Sequence, residues 1–249
     1  MILYKYVNQD RVDILKNRKI RFTQYYNQND PYDCTFALMP LDKEKEDAEE
    51  DDYRAERAQL EVYLEEKFSQ LGMLCLTEDP SNLLMWSHYA GNHKGMVIGF
   101  DTSNQFFNTT EKLYDHHYGG YDYLPTEGFG TVKSIEYLEK RKFAKIGEKI
   151  RLHDIFFTKS VHWSYEKEYR IIKNINDFEP VEIDSDIYLL PFPINAITEI
   201  IIGANADQML YEDIRLIVQN DFKDKVEIKK AKLKHTAFGL DYVGIKNHT

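Results

Sequence analysis

Trp163-Ser164-Tyr165-Glu166-Lys167-Glu168-Tyr169-Arg170-Ile171-Ile172-Lys173 is the stretch on which the fold turns. Aromatic and β-branched residues alternate here with charges, so residues 165–173 read as a strand. Side chains of a strand point alternately to opposite faces. Trp163, Tyr165, Lys167, Tyr169 and Ile171 therefore share one side, and Glu166, Glu168 and Arg170 the other. Facing solvent, Glu168 and Arg170 are a neighbouring ion pair worth under about 1 kcal/mol. Lining a cleft, the two acids repel, one pKa rises, and the pair can divide acid, base and electrostatic roles.

Outward from this strand, elements of both kinds interleave irregularly. Residues 3–6, 20–23, 73–77, 96–101, 132–137, 197–202 and 226–231 read as further strands, the last of them closing the chain's strand set. Asp10 caps a short helix with Val12, Ile14 and Leu15 on its apolar stripe. Residues 44–71 form a charged helical stretch in which only Leu60, Leu64, Phe68 and Leu71 make a face worth burying. Asp79-Pro80 has the form of a helix start, with Asp as cap and Pro at the first helical position, ahead of Leu83 to Ala90. Residues 140–156 are largely helical in pattern, and residues 205–220 form a helix with Met209, Ile214, Ile217 and Val218 inward. Several strands follow one another without a helix between them. That predicts a single α+β domain over 1–249 with a mixed, mainly antiparallel sheet and flanking helices, rather than a doubly wound parallel sheet. Residues 42–71 are then a charged helical insertion, and 102–130 a long polar and aromatic loop or lid.

Composition narrows the function classes. Hydrophobic residues make up 43% of the chain, enough for a core of its own. No apolar run approaches the roughly 18–20 residues that cross a bilayer, and the opening residues lack a signal-peptide layout, so a cytoplasmic protein with no membrane partner is expected. Cys34 and Cys75 lie far apart, without metal or redox spacing, and read as buried free thiols. Of the net charge of −10, a −6 share sits in residues 42–52, where eight acids oppose Lys43 and Lys45. That segment reads as solvated. Lysines 223, 225, 229, 230, 232 and 234 run the other way, and read as solvated charges of an edge strand or as phosphate contacts.

Two further groups of residues can carry chemistry. Trp86, His88, Tyr89 and His93 surround a helix end; Trp86 reads as core, whereas His88 is either half-buried packing or faces a substrate. The two histidines lack the i, i+4 spacing of a zinc helix, so no metal site is expected. Residues 25–33, with Asn29-Asp30-Pro31, form a turn that either stands alone or supplies polar groups to a ligand. Glu227-Ile228-Lys229 has the acid-x-lysine form found in nucleases, without an aspartate partner.

LYKY at 3–6, QNDPYD at 28–33, LLMWSHYAGNHKGMVIGF at 83–100 and WSYEKEYR at 163–170, in that order, resemble the bacterial family catalogued as domain of unknown function 2971. The strand, short helix, strand opening followed much later by a glutamate in an aromatic strand is also similar to ADP-ribosyltransferase-type toxins. That resemblance implies an ADP-ribosyltransferase-like fold, NAD as substrate, and a protein or nucleic-acid acceptor. It places Glu168 at the catalytic glutamate, with Glu166 as its companion two residues away. Tyr4, Lys5 and Tyr6 stand where a histidine or arginine is usual, and with Tyr25, His88 and Arg170 they form the expected substrate-binding set, Tyr6 or Tyr25 stacking on nicotinamide. The chemistry suits these groups, because breaking the nicotinamide–ribose bond builds positive charge that a fixed carboxylate stabilises. A toxin or phage-defence effector is the implied setting. The opposing expectation is a non-catalytic ligand-binding or regulatory module, with a nuclease third.

Overall fold

The computed structural model of the chain describes residues 1–35, 37–38, 50–111, 113–115, 120–122, 129–144, 152–176, 178–182, 185–223 and 225–245. Its centre is an eight-stranded sheet made of β1 (Ile2–Val7), β2 (Leu71–Thr77), β3 (Met96–Asp101), β4 (Lys133–Ser134), β5 (Glu168–Asn174), β6 (Ile197–Ile202), β7 (Glu227–Leu233) and β8 (Leu240–Gly244), in the order β8-β7-β6-β3-β1-β2-β5-β4. Neighbours run antiparallel except β6 and β7, which are parallel. The fold is α+β, with a large, mixed, mainly antiparallel sheet.

Both faces of the sheet are covered, as its central strands require. Leu3, Val7, Leu74, Leu76, Ile98, Phe100, Ile171 and Ile200 point to one face and pack with α1 (Asp13–Asn17) and α5 (Gln208–Asp221). The other face carries two separate clusters. One joins Met73 and Ile172 to Leu64 and Phe68 of α2 (Glu50–Ser69) and Phe156 of α4 (Leu152–Phe156). The second joins Tyr6, Val97 and Ile201 to Met85 and Trp86 of α3 (Leu83–Tyr89). Each fully buried side chain of this size contributes about 1.5–3 kcal/mol. Gly95 lets the chain turn from α3 into β3, since a Cβ there would lie 2.1 Å from the Val7 carbonyl oxygen.

Several expected elements are corrected. The strand read over 165–173 begins at Glu168, because Val161–Glu166 winds into 3₁₀ turns and Lys167 takes a left-handed φ of 44°. Tyr169 and Ile171 still oppose Glu168 and Arg170. The helix read from Asp79 starts after Asn82, whose Oδ1 accepts from the Leu84 and Met85 amides. Met209 is 72% exposed and Leu210 takes the inward position; α5 begins at Gln208, three residues after the expected start at 205, with Asp207 as its cap. The strand read at 132–137 is two short pieces, Lys133–Ser134 and Glu136–Leu138. Where a helix was read over 140–156, the described parts are a strand, Phe143–Ala144, and α4. β7 is followed by one more strand, β8, so it does not close the strand set. Residues 42–49 of the charged insertion lie outside the described residues, as do 112, 116–119 and 123–128 of the supposed lid. The described part of that lid includes a 3₁₀ turn, Gln105–Phe107, and paired strands Leu113–Asp115 and Gly120–Asp122. Among the described residues no helix is long and apolar enough to cross a membrane.

Candidate functional site

The sheet does not close evenly between β1 and β2. Tyr4 and Thr77 are their one registered pair, and at the far end of β2 it is Thr23 that exchanges both backbone hydrogen bonds with Met73, at 2.9 Å each. Between these points the Cys75 carbonyl accepts from the Lys5 ammonium at 3.0 Å. A side chain thus satisfies a backbone acceptor that the strand leaves open. A cavity of about 240 Å³ opens at this parting, between the two clusters of that face. Tyr4, Lys5 and Tyr6 line it from β1, Asn27, Gln28 and Asn29 from the loop after Thr23, Tyr89 from α3, and Lys159, Glu166 and Glu168 from its charged wall.

That wall is a network of buried charges. Arg170, with no exposed surface, donates to Glu168 through Nε at 2.5 Å and Nη2 at 3.0 Å, and to Asp33 through Nη1 at 2.9 Å and Nη2 at 2.6 Å. Its Nη1 also reaches the Phe156 carbonyl at 2.9 Å and the Cys34 sulfur at 3.2 Å. Lys159 donates to Glu166 at 2.6 Å and Glu168 at 3.0 Å, and lies 3.6 Å from Asp33. The Tyr89 hydroxyl donates to the other oxygen of Glu166 at 2.7 Å and accepts from the Asn29 amide at 3.0 Å. A left-handed Cys34, φ 55°, turns the chain just after Asp33.

These contacts set the protonation states. Burial alone would raise the Glu168 carboxyl, but Arg170 and Lys159 outweigh it and hold the group well below its ordinary range. Burial would likewise lower Lys159, but Glu168, Glu166 and Asp33 hold it above the ordinary ammonium value. Burial raises the Tyr89 hydroxyl, with the hydrogen bond to Glu166 adding to it. The thiols go the opposite way from reactive cysteines: burial raises Cys34 and pushes Cys75 up to about 12. At neutral pH the wall therefore holds an ionised Glu168 and a fixed cation pair, Arg170 and Lys159, beside unreactive thiols.

Of the residues read from sequence, Tyr4, Lys5, Tyr6, Glu166 and Glu168 meet in this cavity, and Arg170 sits behind it. Tyr25 does not: it packs edge-on against Phe68, ring centroids 5.4 Å apart, and lines a different cavity with Cys34 and Arg57. His88 lies on the exposed side of α3, and its neighbour Tyr89 faces the site. Asp33 and Lys159 were missed as site residues. For Asp33 the signal was its place in the turn of residues 25–33. For Lys159 it was a lone lysine after Phe156-Phe157, in the short strand Thr158–Ser160. Two lysines of β7 are engaged locally: Lys229 pairs with Glu199 at 2.6 Å and Glu227 at 3.2 Å, and Lys230 donates to the Ala206 carbonyl. Among the described residues no group of three or more His, Cys, Asp or Glu is placed to hold a metal ion.

Residues 85–171 match the family model described as Protein of unknown function (DUF2971). The matched DUF2971 region runs from α3 into β5, and so includes Tyr89, Lys159, Glu166, Glu168 and Arg170. β1 and the Asn27–Asn29 side of the cavity lie before it. No curated protein and no solved structure matches the chain.

Proposed function

We propose that the cavity binds the nicotinamide–ribose part of NAD and that the protein is an ADP-ribosyltransferase-like enzyme. The observation that carries this reading is the meeting of two buried carboxylates, Glu166 and Glu168, with the Tyr4–Tyr6 strand in one cavity. At about 240 Å³ the cavity is below the roughly 300–1,000 Å³ of sites that enclose whole ligands, so it takes part of the dinucleotide and leaves the rest at the mouth. The Tyr4 and Tyr6 rings offer apolar surface to nicotinamide, and the amides of Asn27, Gln28 and Asn29 offer hydrogen bonds. As the nicotinamide–ribose bond breaks, its electron pair leaves with nicotinamide and positive charge grows on the ribose. Glu168, ionised and locked by Arg170, is a preorganised charge against that cation. Glu166 takes the proton of the attacking acceptor, protein or nucleic acid. A toxin or defence effector acting in the cytoplasm is the setting we attach to this activity.

One observation favours the alternative of a non-catalytic binding module: both Glu168 oxygens are already engaged by Arg170 and Lys159. Nicotinamide release separates the two. Wild-type protein is expected to release nicotinamide from NAD when given its acceptor, and Glu168→Gln to lose about 3–4 kcal/mol of transition-state stabilisation, on the order of 10²–10³ in rate. NAD affinity should change far less, because the ground state carries little of that ribose charge. NAD binding without release, with any protein or nucleic-acid acceptor, would leave the binding module in front.

A further inference from the structure

β5 carries a second buried cation, on the face opposite Arg170. Alternation sends Lys173 to the side of Tyr169 and Ile171, and it is 7% exposed. Its ammonium lies 4.4 Å from the centroid of the Phe106 ring. Among the described residues it makes no hydrogen bond and no ion pair. Glu111 is the acid whose charge reaches it, but Glu111 accepts from the Thr109 hydroxyl at 2.6 Å and the Asn174 amide at 2.8 Å.

Lys173 and Phe106 line an open cavity of about 680 Å³, with Asp101, Asn104, Gln105 and Asn195 among its other walls. Asp101 is occupied, since its carboxylate accepts from the Ser103 amide at 3.0 Å and hydroxyl at 2.8 Å. No residue of this cavity belongs to the one at the β1–β2 parting. We propose that it is a second ligand site, which binds the phosphate or carboxylate of a small polar molecule at the Lys173 ammonium above Phe106. An ammonium has three donors, and a ring face satisfies its charge only in part. A buried charge without a hydrogen-bonded partner is costly, and an anion seated on it removes that cost through charge-assisted hydrogen bonds. Exposed Gln105 and Asn195 add polar groups at the rim. Burial lowers the Lys173 pKa, which agrees with a cation that still lacks its partner.

The test uses the full chain and two probes, inorganic phosphate and succinate. Lysine acetylation by a limiting acylating reagent is read by mass spectrometry with and without each probe. Protection of Lys173 by one or both, with exposed Lys94 unaffected, is the expected result, and the protecting probe identifies the anion class. Calorimetry should then give an affinity for that probe which falls by about tenfold or more in Lys173→Met. Labelling of Lys173 unchanged by either probe overturns the proposal, as does a folded Lys173→Met that binds the probe as tightly as wild type. The labelling arm needs no variant, so it decides the matter even if the substitution disturbs folding.

Discussion

Arg170 and Lys173 are two buried cations three residues apart on one strand, and they have opposite surroundings. Arg170 is saturated: Asp33 and Glu168 grip it from two sides, and a carbonyl and a sulfur take up its Nη1. Lys173 has a ring face and an open cavity. The saturated cation is committed to structure, where it fixes Glu168 at the edge of the first cavity. The unsaturated one retains donors that no described residue of the chain takes up. Buried charge alone therefore does not mark a binding group; the count of its partners does.

The largest expected difference comes from removing each cation. Arg170→Met takes the guanidinium from the buried Asp33 and Glu168, leaving Lys159 to face both, and should cost about 3–5 kcal/mol, read as a loss of the urea midpoint or of folded protein. Lys173→Met keeps most of the stem's packing and deletes an unpaired charge, so its denaturation midpoint should stay close to wild type or rise. Equal destabilisation by both would erase the distinction.

Acid titration sharpens the same comparison. Glu168 is depressed in the folded state, so its stabilisation is present above the unfolded carboxyl pKa of about 4.3 and is lost as pH falls through the lower folded value. Urea midpoints measured from pH 7 to pH 3 should drop more steeply for wild type than for Glu168→Gln. Parallel curves would mean that the Arg170 side of the strand is not the coupled network described here.

How much of this was legible in the sequence follows from how far apart the interacting residues are. Period-two alternation placed Glu168 and Arg170 on one face, and hydrophobic runs located β3 and β6 to the residue. Alternation also put Glu166 beside them, although Glu166 ends a 3₁₀ segment and reaches the wall through Lys159 rather than along a strand. The Arg170–Asp33 pair spans 137 residues, and no local pattern announces it. On α3 the sequence reading chose His88 rather than Tyr89, because the direction of the helix relative to the parting strands, which decides which one faces the cavity, is not written in helical spacing. The parting itself lies in β-sheet register, which a single sequence does not carry.

The smallest change is made at the cavity mouth, and it tests the central claim most directly. Asn29 is exposed, lines the cavity, and touches the charged wall only at its edge, through the Tyr89 hydroxyl, without contacting Arg170. Asn29→Trp should block the entrance without touching the fold. Calorimetric titration of NAD into wild type and this variant should give binding to wild type and a loss of about 1.4 kcal/mol or more, tenfold or greater in affinity, in the variant at unchanged melting temperature. Equal NAD affinity in the two proteins, or no NAD binding by wild type, would contradict the assignment of this cavity.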